Sequence, residues 1–237
     1  MKKMQWTLLL LLQLGWLPAI CQKTFNDPNA KERPIGQFNA IEVNSAIELF
    51  VNQGTTVGLA VSANEPKYRD QISTEIVNNT LVISYKSSGG DWGAKSMRVY
   101  VSAPTLNRIK ASGACNVKIE GDYNATDLEI DLSGSSDFKG AVMAQNLKLK
   151  GSGSSDFIIS GKATNIKIDV SGASDLKGFD LITDICEASA SGASDINITV
   201  NKELRVKASG ASDVSYKGDC VVKESSASGA SDVRKKG

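Results

Sequence analysis

The tetrad-and-aspartate phrase "SGASD" and its near copies return through the second half of the chain at an almost fixed interval. The glycines at their centres are Gly113, Gly134, Gly153, Gly172, Gly192, Gly210 and Gly229, separated by 21, 19, 19, 20, 18 and 19 residues. A period of this size with strand-like alternation between the glycines predicts the coils of a β-solenoid. Counted back from each glycine, the sixth, fourth and second residues are mostly apolar, as in Leu128, Ile130 and Leu132 or Ile166, Ile168 and Val170. Such alternation marks a strand with one buried face. Four residues beyond each glycine stand Val117, Phe138, Phe157, Leu176, Ile196, Val214 and Val233, so a second strand opens on the far side of the corner.

Polar positions test this reading independently. Five residues before the glycines stand Arg108, Glu129, Lys148, Lys167, Glu187, Arg205 and Glu224; three before stand Lys110, Asp131, Lys150, Asp169, Ser189, Lys207 and Ser226. With coils stacked in register about 4.8 Å apart, these become vertical columns whose sign alternates at nearly every step, which opposite cross-strand charges favour. The order predicts parallel, in-register stacking. At the corner, Gly permits unusual backbone angles, and Ser and Asp bond back to nearby amides. Gly121, Gly140, Gly161, Gly178 and Gly218 mark a second, looser corner.

Residues 35–102 lack the motif but are strand-rich, in "FNAIEVNSAIELFVNQG", "TVGLAVSAN", "TLVISY" and "MRVYVSAP". They read as irregular first coils that close the N-terminal end of the core, before the regular coils of 103–233. The largest excursion is the loop "KSSGGDWGAKS" at 86–96. Residues 1–21 read as a secretory signal peptide, with Lys2 and Lys3 ahead of a short apolar stretch and a cleavage site after it. Cys21 is alternatively the lipidated first residue of a lipoprotein, against which stands Ile20, where such sites favour Gly, Ala or Ser. Residues 22–34 read as an unstructured leader and 234–237 as a tail.

Composition removes whole classes of function. There is no histidine, which excludes Ser-His-Asp triads, Cys-His dyads and His-ligated metals. Without the leader, 25 basic side chains face 26 acidic ones, so no electrostatic footprint for nucleic acid is present. No later segment is long and apolar enough to be a transmembrane helix. Cys115, Cys186 and Cys220, an odd number for an exported chain, read as buried free thiols.

The blocks "FNAIEVNSAIELFVNQG", "NTLVISYK" and "VYVSAPTLNRIKASGACNVKI", followed by serial "SGSSDF" and "SGASDL" corners, resemble the autotransporter adhesin head GIN domain family of Bacteroidetes-like bacteria. The resemblance spans residues 35–233. It implies an all-β, right-handed, single-stranded parallel β-helix of the pectin-lyase-like type, and an exported protein with no assigned catalytic residues. The ending "SDVRKKG" shows no strands of a membrane barrel, so self-transport is not expected.

Asp137, Asp156, Asp175, Asp195, Asp213 and Asp232 share one motif position, taken by Asn116 in the first coil. In register they form a column of carboxylates about 5 Å apart. In one reading each caps its own corner through backbone N–H groups and the neighbouring Ser hydroxyl; in another the column binds Ca²⁺, which favours several oxygen ligands. Trp92 is either a stacking platform for a sugar or a ring folded over the core end. A polysaccharide lyase or hydrolase is the rival class, since such helices can pair carboxylates as acid and base. The near-constant repeat leaves no insertion to wall a cleft, however. The expectation is therefore a non-catalytic envelope or surface module for adhesion, binding glycans or envelope proteins, with a purely structural envelope component as a further alternative.

Overall fold

The computed structural model describes residues 27–86 and 95–237. The signal segment, Cys21 and Trp92 lie outside the described residues. The chain forms a β-solenoid of about 7 turns at about 19-residue spacing. Eight strands and a short helix build its N-terminal part: β1 (Lys31–Glu32), β2 (Ala40–Val43), β3 (Glu48–Asn52), β4 (Gly58–Ser62), α1 (Pro66–Asp70), β5 (Ile72–Val77), β6 (Thr80–Tyr85), β7 (Arg98–Ser102) and β8 (Arg108–Ala111). The regular coils follow as β9 (Asn116–Leu132), β10 (Asp137–Gly151), β11 (Phe157–Val170), β12 (Leu176–Ala190), β13 (Ile196–Ala208), β14 (Asp213–Lys217), β15 (Val221–Ala227) and β16 (Asp232–Lys235).

The predicted register holds through the regular coils. Phe138 pairs with Phe157, Phe157 with Leu176, Leu176 with Ile196, and Ile196 with Val214, all in parallel. Each of these side chains is 0–1% exposed. One inward column therefore runs the length of the molecule, each large member contributing about 2 kcal/mol by leaving water. Gly151 sits inward where its neighbours carry Leu132 and Val170, because a Cβ there would lie 2.9 Å from the Phe157 ring.

The front of the chain does not wind in sequence order. Strand β2 lies between β6 and β8, and β3 lies between β7 and β9, all in parallel. The coil of residues 40–52 is thus the second rung in space, and the later strands β6 and β7 form the outer rung. Antiparallel ladders, β4 on β7, β1 on β4, and β5 on β6, close that end together with α1, whose Tyr68 is buried. The expected irregular first coils are therefore an interleaved pair with an antiparallel cap. Residues 27–34, expected to be an unstructured leader, are tied down instead. Tyr100 Oη donates to Asp27 at 2.8 Å, and Arg33 donates to the carbonyls of Arg69 (2.9 Å) and Ile72 (2.5 Å). The opposite end is open: every residue of β15 is exposed, and its inward positions are filled by Val222, Ser225 and Ala227.

Candidate functional site

The repeated corner is an arrangement of three columns. The motif glycines all have positive φ, from 76° to 91°, the left-handed region that side chains disfavour. From Gly134 onward, the residue after each motif glycine donates its N–H to the glycine carbonyl one coil earlier, as Ala173 does to Gly153 at 2.7 Å. Behind the glycines runs a buried serine column of Ser136, Ser155, Ser174, Ser194 and Ser212, each 0% exposed. Ser174 Oγ accepts the Ser155 amide at 3.1 Å, and Ser194 Oγ accepts the Ser174 amide at 3.2 Å. Ser136 and Ser155 in turn donate to the carbonyl three residues back, each at 3.0 Å. Cys115 takes this place in the first motif and directs its thiol at the Ser112 carbonyl, 3.3 Å away.

The six aspartates do form the expected column, but their hydrogen bonds differ from the expected corner cap. Asp175 Oδ1 accepts the amide of Asp195 at 3.1 Å, Asp156 accepts that of Asp175, and Asp195 that of Asp213, both at 3.3 Å. These three carboxylates therefore bond the next coil rather than their own, because the in-register stack brings that amide directly over each. Lys177 stands 3.7 Å from Asp156, and Arg234 pairs with both Asp213 and Asp232. Among the described residues no group of three or more Asp, Glu, Cys or His side chains converges as a metal cage.

Among the described residues, two of the grooves along the solenoid faces are roomy enough for a ligand. The larger, about 680 Å³, has a floor of Gly140, Ala141 and Ser160 beside Lys139 and the half-exposed Ile158. At its N-terminal end Phe50 is filled on both sides, stacked on Tyr100 at 5.0 Å and covered by the Lys118 ammonium at 5.3 Å. That aromatic pair is a structural stack, and neither face of the Phe50 ring is open to a ligand.

The second groove, about 460 Å³, runs between an amide ladder and a charged column. Asn165 Nδ2 donates to Asn146 Oδ1 at 2.8 Å, and Asn146 Nδ2 to Asp127 Oδ1 at 2.7 Å. The next rung places Ile185, 38% exposed, in register with Asn165. Opposite stand Glu129, Lys148, Lys167 and Glu187. A hydrogen bond from Lys150 (2.9 Å) holds the Glu129 carboxyl below the usual carboxylate range against the opposing effect of burial. The hydrogen bond from Lys167 (2.9 Å) does the same for Glu187. A catalytic acid needs the opposite shift, so neither carboxyl is prepared as a proton donor. The ladder members stand seven residues before their motif glycines, a position the sequence reading passed over although its Asp127, Asn146 and Asn165 are as periodic as the corner.

Of the three thiols among the described residues, all are free; Cys115 and Cys186 are buried, while Cys220 is partly exposed, contrary to the expectation of three buried groups. Burial, with Cys220 nearby, pushes the Cys186 thiol up to about 12.

A family described as "Putative auto-transporter adhesin, head GIN domain" matches residues 37–220. No curated protein matches the chain. Among solved structures, a putative adhesin from Bacteroides fragilis is similar at 23% identity and a TM-score of 0.78, covering 87% of this chain and 96% of its own. A putative lipid binding protein from Parabacteroides distasonis is similar at 19% identity and a TM-score of 0.67, over 88% and 96% of the two chains. A putative adhesin from Parabacteroides merdae is similar at 19% and 0.64, over 88% and 95%. At these identities the likeness is one of fold.

Proposed function

Since the chain belongs to the head GIN domain family of putative auto-transporter adhesins, we propose that it is an exported, non-catalytic module that adheres to surface glycans or to an envelope protein. The observation that carries this reading is the 460 Å³ groove, an open track of amides and paired charges that follows stacked coils. Planar amides, carboxylates and ammonium groups offer hydrogen bonds in both directions, and their repetition along the axis suits a repetitive ligand. Site chemistry of this kind supports binding more directly than the fold does. Export fits the sequence of residues 1–21, and no helix among the described residues is long and apolar enough to cross a membrane.

The test is binding of the purified chain to a glycan array and to whole cells, with and without calcium. Saturable binding in either format supports the reading. Cleavage of a polysaccharide without retention on any surface would overturn it in favour of a lyase or hydrolase.

A further inference from the structure

The geometry points to Lys148 and Lys167 as a paired reader of carboxylates on an acidic glycan, seated in the groove beside Asn146 and Asn165. This inference rests on the reading of the chain as a surface-binding module and names the ligand class for one groove. In the column facing that groove, Arg108 opposes Glu129, Glu129 opposes Lys148, Lys167 opposes Glu187, Glu187 opposes Arg205 and Arg205 opposes Glu224. The single like-charge step is Lys148 against Lys167. Like charges directly opposite are destabilising, and a sequence that alternates sign at every other step of this column breaks its own rule at the groove. Such local violations belong to functional sites.

Both ammonium groups are loosely held. Lys148 stands 3.5 Å from Glu129, whose shorter contact, 2.9 Å, is with Lys150. Lys167 pairs with Glu187 where the two side chains are 54% and 61% exposed, a setting in which ion pairs are weak and exchange partners readily. A carboxylate placed between the two lysines would relieve their repulsion and accept charge-assisted hydrogen bonds from both.

The rest of the groove fits a sugar ring. The amide ladder points one way, so among the described residues no donor reaches Asn165 Oδ1, which is left to accept from a ligand hydroxyl. One rung on, exposed Ile185 offers an apolar step for the C–H face of a pyranose. Asp127, Glu129 and Glu187 flank the lysines and would repel a densely charged phosphodiester chain. Sparse carboxylates separated by neutral rings satisfy both conditions, which is the chemistry of a glycan that alternates uronic acids with neutral sugars.

The test titrates the full chain with hyaluronan and unsulfated chondroitin oligosaccharides, and with the same oligosaccharides after methyl esterification of their carboxyls. Lys148→Gln, Lys167→Gln and, outside this groove, Lys207→Gln are compared with the parent. At least one acidic oligosaccharide is expected to bind the parent, and esterification or either groove substitution to weaken it about tenfold. Lys207→Gln is expected to bind as the parent does, and added salt to weaken the complex. The melting temperature of Lys148→Gln should equal or exceed the parent's, because a repulsion is removed and Glu129 keeps its shorter contact with Lys150; Lys167→Gln loses the Glu187 pair as well as the repulsion. Failure of the parent to bind either acid, equal binding of the esters, or full binding by both groove variants overturns the inference. If the parent adheres to arrays or cells and the variants do so equally, only this assignment falls; if it adheres to nothing, the surface-binding reading falls with it.

Discussion

The α-carbon of Gly172 faces the carbonyl oxygen of Gly153 so closely that a Cβ on Gly172 would lie 2.5 Å from that oxygen. The same approach recurs along the corner column, at 2.4 to 2.6 Å. Gly121 also has a left-handed backbone, with φ of 77°, but nothing lies within 4 Å of its added Cβ. Gly121→Ala is expected to cost only the backbone strain, about 1–2 kcal/mol. Gly172→Ala adds a backbone clash that no side chain can relieve and is expected to cost clearly more. Urea denaturation of the two variants decides between them, and equal costs would remove close packing as the reason for the repeated glycine.

The buried hydroxyl of Ser174 accepts an amide that has no water to turn to. Ser174→Ala is expected to destabilise by about 1–3 kcal/mol, the desolvation of an unpaired buried donor. Ser174→Cys should fall between parent and alanine, because Cys115 already occupies the equivalent place in the first motif. Chemical denaturation of the three proteins gives the order.

The aspartate column is expected to stand without a cation, since three of its carboxylates hold the amide of the next coil. Asp175→Asn retains an acceptor and should change stability little, while Asp175→Ala should lose about 1 kcal/mol. Melting in calcium and in chelator should coincide. A calcium-dependent rise in the melting temperature, abolished by Asp175→Asn, would restore the cation reading.

Acid should loosen the N-terminal segment around Asp27. Burial alone would raise the Asp27 carboxyl, but hydrogen bonds from Ser62, Tyr100 and the Asn29 amide, with Arg98 at 3.5 Å, outweigh it and hold the group below its usual value. A carboxyl lowered by folding contributes stability that is complete at neutral pH and is lost as pH falls through the folded-state value. Asp27→Asn should therefore be less stable than the parent at neutral pH and show a shallower decline toward acid, measured by urea midpoints across the acid range.

Alkylation should distinguish the thiols. Cys220 is partly exposed and, although burial raises its thiol as well, should react in the folded protein at alkaline pH, whereas Cys186, buried and raised to about 12, should react only after denaturation. Mass spectrometry of the labelled peptides reports the order.

The regular coils were legible in the sequence because two periodicities agree there. Strand alternation chose the inward residues, such as Ile166 and Ile168, and the motif interval chose their partners, such as Leu147 and Leu149. Between residues 35 and 102 no motif marks the corners, and strand patterns such as "AIEV" and "TLVISY" are equally compatible with either neighbour. Nothing in their letters says that Ala40 lies between Thr80 and Arg108. The aspartate column was visible as a column, but its bonding was not. A carboxylate beside a turn is compatible with amides of its own corner, and only the stacking distance selects the amide above. The like-charge pair Lys148 and Lys167 was in view within an otherwise alternating series; its meaning waited on the groove beside it.

The threading of β2 and β3 between two later rungs changes how the molecule bears load. Tension applied at Asp27 first loads β1, which pairs with β4 alone, and then meets a rung that is hydrogen-bonded along both edges, so it must shear two ladders at once before that rung can leave. At the far end, β15 and β16 each hold a single neighbour and can peel away one bond at a time. A molecule tethered by its N-terminal segment would thus keep its grip on the anchor while its distal coils yield, as a rope frays at the tip and holds at the knot.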